Sequence, residues 1–385
     1  MKGTITTLDL FAGAGGLSRG LHAASERFIV DTAVELDRDA AATFELAFPE
    51  AEVHAQSIED WLAEGEIREV DVVVGGPPCQ GFSALGKQDV RDERNALWRR
   101  YVEAVKASNA RYFIIENVPQ FLKSPQFDLF REEIESGDLQ DYAFDVEILD
   151  ASDYGAAQKR KRAIVLGWRR DVPRIEFPVI THREKPITVR EVLEDVRNEV
   201  DRIDLPPQRC KVDGRNTPGP FRLDELHLTR RYTDLSLDRF SYIKEGGNRF
   251  QIPEELLSAC WRKHKSGSGD VMGRLNWDQP SVTIRTEFFK PEKGRYLHPT
   301  ENRAITHLEA GLLQGFGPES LWVGSKTSIA RQIGNAVPVA LGAAIGEKII
   351  KAMDSGIDSD NDTVDEVRGI DGSDVLPDPE DRPAA

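Results

Sequence analysis

The sequence predicts an α/β protein: a doubly wound, mostly parallel sheet of the Rossmann-like kind, with a second, smaller and irregular domain. Three observations carry this. From Thr4 to Trp168, short β-rich runs alternate with helix-spaced segments. From about Pro173 to Ser268 the alternation is lost, and prolines, arginines and short mixed segments dominate. The pattern then tightens into an apolar helix over Val337–Met353, with Pro338 tolerable in its first turn.

The elements follow in order. Thr4–Leu10 is a β-rich run that ends in a glycine turn. Phe28–Glu35 is a second run, closed by an acid. Asp37–Phe48 has helical spacing. Val70–Val74 reads as a strand buried on both faces. Glu93–Ala107 is helical, Tyr112–Glu116 is a strand, and Phe144–Leu149 and Ala163–Trp168 complete the set. In such sheets ligands bind beyond the carboxyl ends of the strands. Gly13, Glu35, Cys79 and Glu116 all fall there. The expected units are 1–172 completed by 325–353, a second domain over 173–324, and an acidic extension over 354–385.

Composition narrows the class. Of 385 residues 39% are hydrophobic, enough for a sizeable core. No segment approaches the apolar length of a membrane span, and Met1-Lys2-Gly3-Thr4 lacks a secretory pattern. Cys79, Cys210 and Cys260 are too far apart for a CxxC site, and the 7 histidines form no HxxxH pair. A reduced, cytosolic, metal-free protein is the expectation. The net charge of -16 at first argues against a nucleic-acid partner. However, residues 354–385 hold 11 acids against 2 arginines and no aromatic side chain. That leaves a body of about -7, on which a local basic groove can exist. The extension is expected to be disordered.

Four stretches carry chemistry. In Asp9-Leu10-Phe11-Ala12-Gly13-Ala14-Gly15-Gly16 the glycines allow a tight turn close to a ligand. Glu35, 19 residues after Gly16, is placed to bind ribose hydroxyls. The GxGG spacing differs from GxGxxG, which favours a mononucleoside over a dinucleotide; an ordinary glycine turn also fits. In Gly75-Gly76-Pro77-Pro78-Cys79 the two prolines fix the backbone and hold the thiol beyond the sheet edge. Cys79 alone fits a small buried hydrophobe as well as a covalent catalyst. Glu116, behind the apolar run Phe113-Ile114-Ile115, is open to desolvation, or is a capping or surface acid. In Gln158-Lys159-Arg160-Lys161-Arg162 an extended chain puts Arg160 and Arg162 on one face, although a solvated charge run reads the same.

Together these stretches resemble the C5-cytosine DNA methyltransferase family, of the restriction-modification type. The matches are DLFAGAGG at 9–16, GGPPCQGFS at 75–83, ENV at 116–118, QKRKR at 158–162, RAITHLEAGLLQGF at 303–316 and QIGNAV at 332–337, in the family's order over roughly residues 5–350. The resemblance implies methyl transfer from S-adenosylmethionine to C5 of a cytosine flipped out of duplex DNA, with S-adenosylhomocysteine as product and no metal. It makes Cys79 the nucleophile at C6. Glu116 becomes the group on N3 and the exocyclic amine, and Arg160 and Arg162 the groups that orient the base. Gln80 and Ser83 would face the opened duplex.

Cofactor contacts carry over to Phe11, Gly13, Gly15, Gly16, Glu35, Leu97, Asn335 and Val337. Two positions depart from the family. Its Asp before the adenine-flanking Ile is here Ser57, ahead of Ile58, with Asp60 nearby as a substitute. Its frequent aromatic after the ribose acid is Leu36. The resemblance makes 1–172 with 325–353 the catalytic and cofactor-binding domain. It makes 173–324 the target-recognition domain and hinge. The recognition region proper is about Pro173–Gly269, where Arg209, Arg222, Arg230, Arg231 and Arg249 are candidates for DNA contacts. Arg274–Thr286 (RLNWDQPSVTIRT) resembles the family stretch that follows. The implied partner is double-stranded DNA, bound by a cytoplasmic, nucleoid-associated monomer, and a cognate restriction endonuclease stays open. A tRNA cytosine methyltransferase of the same fold and a DNA-binding pseudoenzyme are the competing readings. The long variable region favours DNA, and intact Cys79, Glu116 and Arg162 favour an enzyme.

Overall fold

The structure, a computed structural model, describes residues 3–65, 67–78, 97–263 and 269–355, except the side chains of Cys260 and Lys263. Its first part runs β1 (Ile5–Leu10), α1 (Gly16–Ala24), β2 (Phe28–Val34), α2 (Arg38–Ala47), β3 (Glu52–His54), α3 (Ile58–Glu64), β4 (Val72–Gly75), α4 (Leu97–Ala107), β5 (Tyr112–Asn117), α5 (Pro125–Ser136), β6 (Tyr142–Asp150) and β7 (Lys161–Arg169). Among the described residues the strands form a seven-stranded sheet in the order β3-β2-β1-β4-β5-β7-β6. The first five pair in parallel, and β7 runs antiparallel between β5 and β6.

Side-chain alternation decides which layer each residue feeds. Val72, Val74, Tyr112 and Ile114 point to the face covered by α1 and a final helix, where Leu17, Leu21, Leu341 and Ile345 join them. Val73, Phe113 and Ile115 point to the other face and pack against α3, α4 and α5. Helix α4 shows why its segment is helical. Trp98, Tyr101, Val102 and Val105, spaced i, i+3, i+4 and i+7, are all buried. Helix α5 starts at Ser124, whose side chain accepts from Phe127 N–H, with Pro125 at the first helical position.

The second part holds α6 (Val189–Leu193), the hairpin β8 (Arg209–Val212) and β9 (Arg215–Pro218), β10 (Phe221–Arg222), α7 (Asp234–Ser241), α8 (Ala259–Lys263), α9 (His307–Leu313) and β11 (Leu321–Trp322). Among the described residues its sheets are two-stranded. Phe221, Leu223 and Leu226 share one core with Trp277, Ile284, Leu308 and Leu313. A satellite core of Phe240, Ile243, Ile252, Met272 and Leu297 lies apart from it. The chain then returns through α10 (Lys326–Asn335) and α11 (Val339–Ser355).

The ends of most elements shift by one or two residues from the expected spans, for example Val72–Gly75 for the expected Val70–Val74 and Lys161–Arg169 for Ala163–Trp168. Helix α4 is described from Leu97 onward, and its expected start at residues 93–96 lies outside the described residues. Helix α11 begins after Pro338 rather than at Val337, and the Pro338 carbonyl accepts from Leu341 N–H at 3.0 Å and Gly342 N–H at 3.2 Å at its start. It runs through Asp354 and Ser355, which the sequence assigned to the acidic extension, because the Asp354 carboxylate receives Arg27 Nη1 at 3.1 Å. The extension beyond Ser355 lies outside the described residues.

Candidate active site

A cleft of about 820 Å³ opens at the carboxyl ends of β1, β2, β4 and β5. Its floor is the glycine turn. Gly13 and Gly15 are left-handed, at φ 56° and 79°, which an L side chain rarely adopts. Gly16 permits close approach, since a Cβ there would lie 2.5 Å from the Val337 carbonyl oxygen. Phe11, at φ 57°, is a non-glycine residue in the same conformation and lines the cleft. Such strained backbone gathers at binding sites.

Glu35 lies at the carboxyl end of β2. One carboxylate oxygen accepts from Gly13 N–H at 2.8 Å and the other from Asp37 N–H at 2.7 Å. Burial pushes its pKa up, against those two hydrogen bonds. Asp37 caps α2 and pairs with Arg331 of α10, so the end of β2 and the last helices meet across the cleft. Leu36, Ile58 and Leu97 add apolar lining, and Ser57, Asn335 and Val337 complete this end. Ser57 donates to the Asp60 carboxylate at 2.8 Å and accepts from Asp60 N–H at 3.1 Å. Asp60 is therefore turned to the helix cap and does not line the cleft, whereas Glu59 does.

The other end of the cleft is ionic. Arg162 Nε lies 2.6 Å from a Glu116 carboxylate oxygen, with both side chains mostly buried. Gly76 passes the same carboxylate closely. Asn117, next in sequence, donates from Nδ2 to the Pro77 carbonyl at 2.8 Å. The strand that supplies Glu116 thus also holds the turn leading to Cys79. Arg160 lines the cleft but turns inward, where its guanidinium meets backbone carbonyls. Arg160 and Arg162 both line the cleft, as an extended chain places them, but their guanidinium groups take different partners. Cys79, Gln80 and Ser83 lie outside the described residues.

This geometry joins a glycine cradle and the Glu35 carboxylate to a buried Glu–Arg pair beside the Gly75–Pro78 turn. The family model for C-5 cytosine-specific DNA methylase matches residues 5–351. The chain belongs to that family. It is a DNA cytosine-C5 methyltransferase. The Type II methyltransferase M1.HphI of Haemophilus parahaemolyticus is 31% identical over 358 residues, covering 90% of this chain and 87% of its own. M.DdeI of Desulfomicrobium norvegicum is 31% identical over 376 residues, covering 89% and 88%. Among solved structures, an E. coli prophage-encoded chain described as a DNA modification methyltransferase superposes with a TM-score of 0.70. Its identity is 22%, and the match covers 91% of this chain and all of that one, which speaks to the fold.

The methyltransferase's arginine-rich region sorts into two kinds of side chain. Arg209 on β8 and Arg230 and Arg231 ahead of α7 are exposed. Arg230 stacks over Tyr232, 5.5 Å from the ring centre. Of the other two candidates by sequence, Arg222 is exposed as well but tied to a neighbouring acid, and only Arg249 is held within the protein. Arg222 pairs with Asp224 at 2.7 Å, and Arg249 is buried against Phe250 and Trp261. Sequence reasoning also missed Asp9, which is buried, lines the cleft and accepts from Ser18 Oγ at 2.5 Å. A carboxylate between the two leucines that end β1 was the signal available for it.

Proposed function

We propose that the methyltransferase modifies one specific duplex sequence, with S-adenosylmethionine in the cleft and Cys79 as the covalent catalyst. The observation that carries this reading is the Glu116–Arg162 pair at 2.6 Å beside the Gly75–Pro78 turn, at the far end of the cleft from Glu35. The residues fit the cofactor. The left-handed glycines expose backbone next to it, Glu35 keeps lone pairs for two ribose hydroxyls, and Leu36, Ile58 and Leu97 suit the faces of a purine. When bound, S-adenosylmethionine supplies an electrophilic methyl group.

The chain's own residues do the rest. The Cys79 thiolate adds to C6 of the flipped cytosine, and the ring electrons are released toward C5. Glu116 holds N3 and the exocyclic amine, and shares a proton with N3 as the adduct forms. Arg162 orients that carboxylate and faces the developing charge. After methyl transfer a base removes the C5 proton, the C5–C6 double bond re-forms, and Cys79 leaves as thiolate. Exposed Arg209, Arg230 and Arg231 supply DNA contacts, together with Gln80 and Ser83. The relatives named as Type II methyltransferases support a role in restriction-modification, with a cognate endonuclease as partner.

The test is direct. Duplex DNA with 5-fluorocytosine at the target should form a denaturant-stable adduct with the wild type and none with Cys79→Ser. The variant should still bind S-adenosylhomocysteine. Substantial turnover by Cys79→Ser would refute the covalent role. Bisulfite sequencing of modified DNA reads out the target, and labelled tRNA should remain unmodified.

A further inference from the structure

Two residues apart in sequence and lining one cleft, Arg160 and Arg162 take different partners. Arg162 meets Glu116. Arg160 is 2% exposed, and its guanidinium donates to the carbonyls of Ile284 at 3.0 Å, Gly334 at 3.1 Å and Asn335 at 3.4 Å. Of its donors, Nε is buried without a partner.

Gln158 works in parallel. Its Oε1 accepts from Ile284 N–H at 3.1 Å, and its Nε2 donates to Gln314 Oε1 at 2.6 Å. Gln314 passes the contact on, donating to the Ile333 carbonyl at 2.6 Å. Three stretches far apart in sequence, around residues 158–160, 284 and 333–335, are therefore fastened to one another by buried side chains.

The physical reason lies in α10. The last carbonyls of a helix have no partner within it, and a cation there is favoured by the helix dipole. Helix α10 has no basic residue in its own last turn. Arg160 supplies the missing charge from outside, at Gly334 and Asn335. The cost is visible. Burial, with the nearby charge of Arg162, pushes the Arg160 pKa down to about 9. Immediately beyond α10 comes the cofactor end of the cleft. Asn335 and Val337 line it, and the Val337 carbonyl backs onto Gly16.

We propose that Arg160 is a positioning residue that caps α10 and sets Asn335 and Val337 against the glycine turn, and that it does not hold the target base. The inference rests on the reading of the cleft as the S-adenosylmethionine site. It assigns the effect of Arg160 to cofactor affinity, while Arg162 and Glu116 keep the base.

The experiment uses the full-length protein with Arg160→Met and Arg160→Lys. Calorimetry with S-adenosylhomocysteine, without DNA, gives the cofactor-site Kd. Binding to duplex DNA of the sequence the wild type methylates, and adduct formation with its 5-fluorocytosine form at saturating S-adenosylmethionine, report on the base. Arg160→Met should weaken S-adenosylhomocysteine about tenfold or more, the scale of one lost charge-assisted contact set. Arg160→Lys should recover part of that loss, and DNA affinity and adduct formation should stay near wild type. S-adenosylhomocysteine affinity within twofold of wild type, with DNA affinity or adduct formation lost, would overturn the proposal and return Arg160 to the base. If neither variant folds by circular dichroism, the local role is also overturned, because Arg160 then serves the whole fold. Wild-type protein that binds no S-adenosylhomocysteine would instead refute the cofactor reading of the cleft.

Discussion

Asp9→Asn is the perturbation with the best-defined magnitude. Asp9 sits near the end of β1, fully buried, with Ser18 Oγ as its hydrogen-bond partner. Burial raises its pKa from 3.8 to about 7; the Ser18 hydrogen bond opposes the rise and the Glu35 charge adds to it. At about 1.36 kcal/mol per pKa unit, the difference of about 3 units is worth about 4 kcal/mol. Below pH about 4, the folded and unfolded chains both carry the proton. As pH rises from about 4 to about 7, the unfolded chain loses it and the folded chain keeps it, so stability falls through that window. Above pH about 7 both are ionised and the penalty levels off. Asparagine keeps a carbonyl oxygen for Ser18 and cannot ionise. The variant should therefore gain on the wild type by about 3 kcal/mol between pH 5 and pH 8. Equilibrium urea unfolding at the two pH values measures this, with S-adenosylhomocysteine affinity as a control on the cleft. A stability difference that does not change with pH would show that Asp9 is already ionised in the fold, and the burial argument would fail.

Other outcomes are equally specific. Glu116→Gln keeps the shape but removes the charge facing Arg162, and should lower kcat about 10²-fold or more; near wild-type turnover would remove Glu116 from the mechanism. Replacing about residues 173–269 with the same region of a relative should change the methylated sequence, and an active chimera that keeps its old target would place recognition elsewhere. Truncation after Ser355 should leave turnover and DNA affinity unchanged at low and moderate salt. Markedly tighter low-salt binding by the shortened protein would mean that the acidic extension competes with DNA. Truncation after Met353 also removes Asp354 from Arg27, a partly exposed pair worth at most about 1 kcal/mol, so the two shortened proteins should differ little in stability.

Much of the site was legible because it is local. The glycines of 13–16 have to turn wherever they lie, Pro77-Pro78 stiffens the approach to Cys79 in any fold, and an acid closing an apolar strand faces a sheet end. The strands were legible for a similar reason. Val72, Val73 and Val74 are buried whichever face each one meets, so a run of valines predicts the strand without knowing its neighbours.

Tertiary structure alone decided the rest. The run Ala163-Ile164-Val165-Leu166 reads the same in either direction, and only its pairing with β5 and β6 made β7 antiparallel. Arg160 and Arg162 look equivalent as sequence. One found a carboxylate on the neighbouring strand β5, and the other found helix carbonyls more than 170 residues away. Asp354 reads as the first acid of a charged extension, and became part of a helix because Arg27 lies beside it. In each case the deciding partner is remote along the chain. Spacing and propensity fix how a segment folds locally, but a charge takes its role from whichever group the packing of distant segments brings within hydrogen-bond reach.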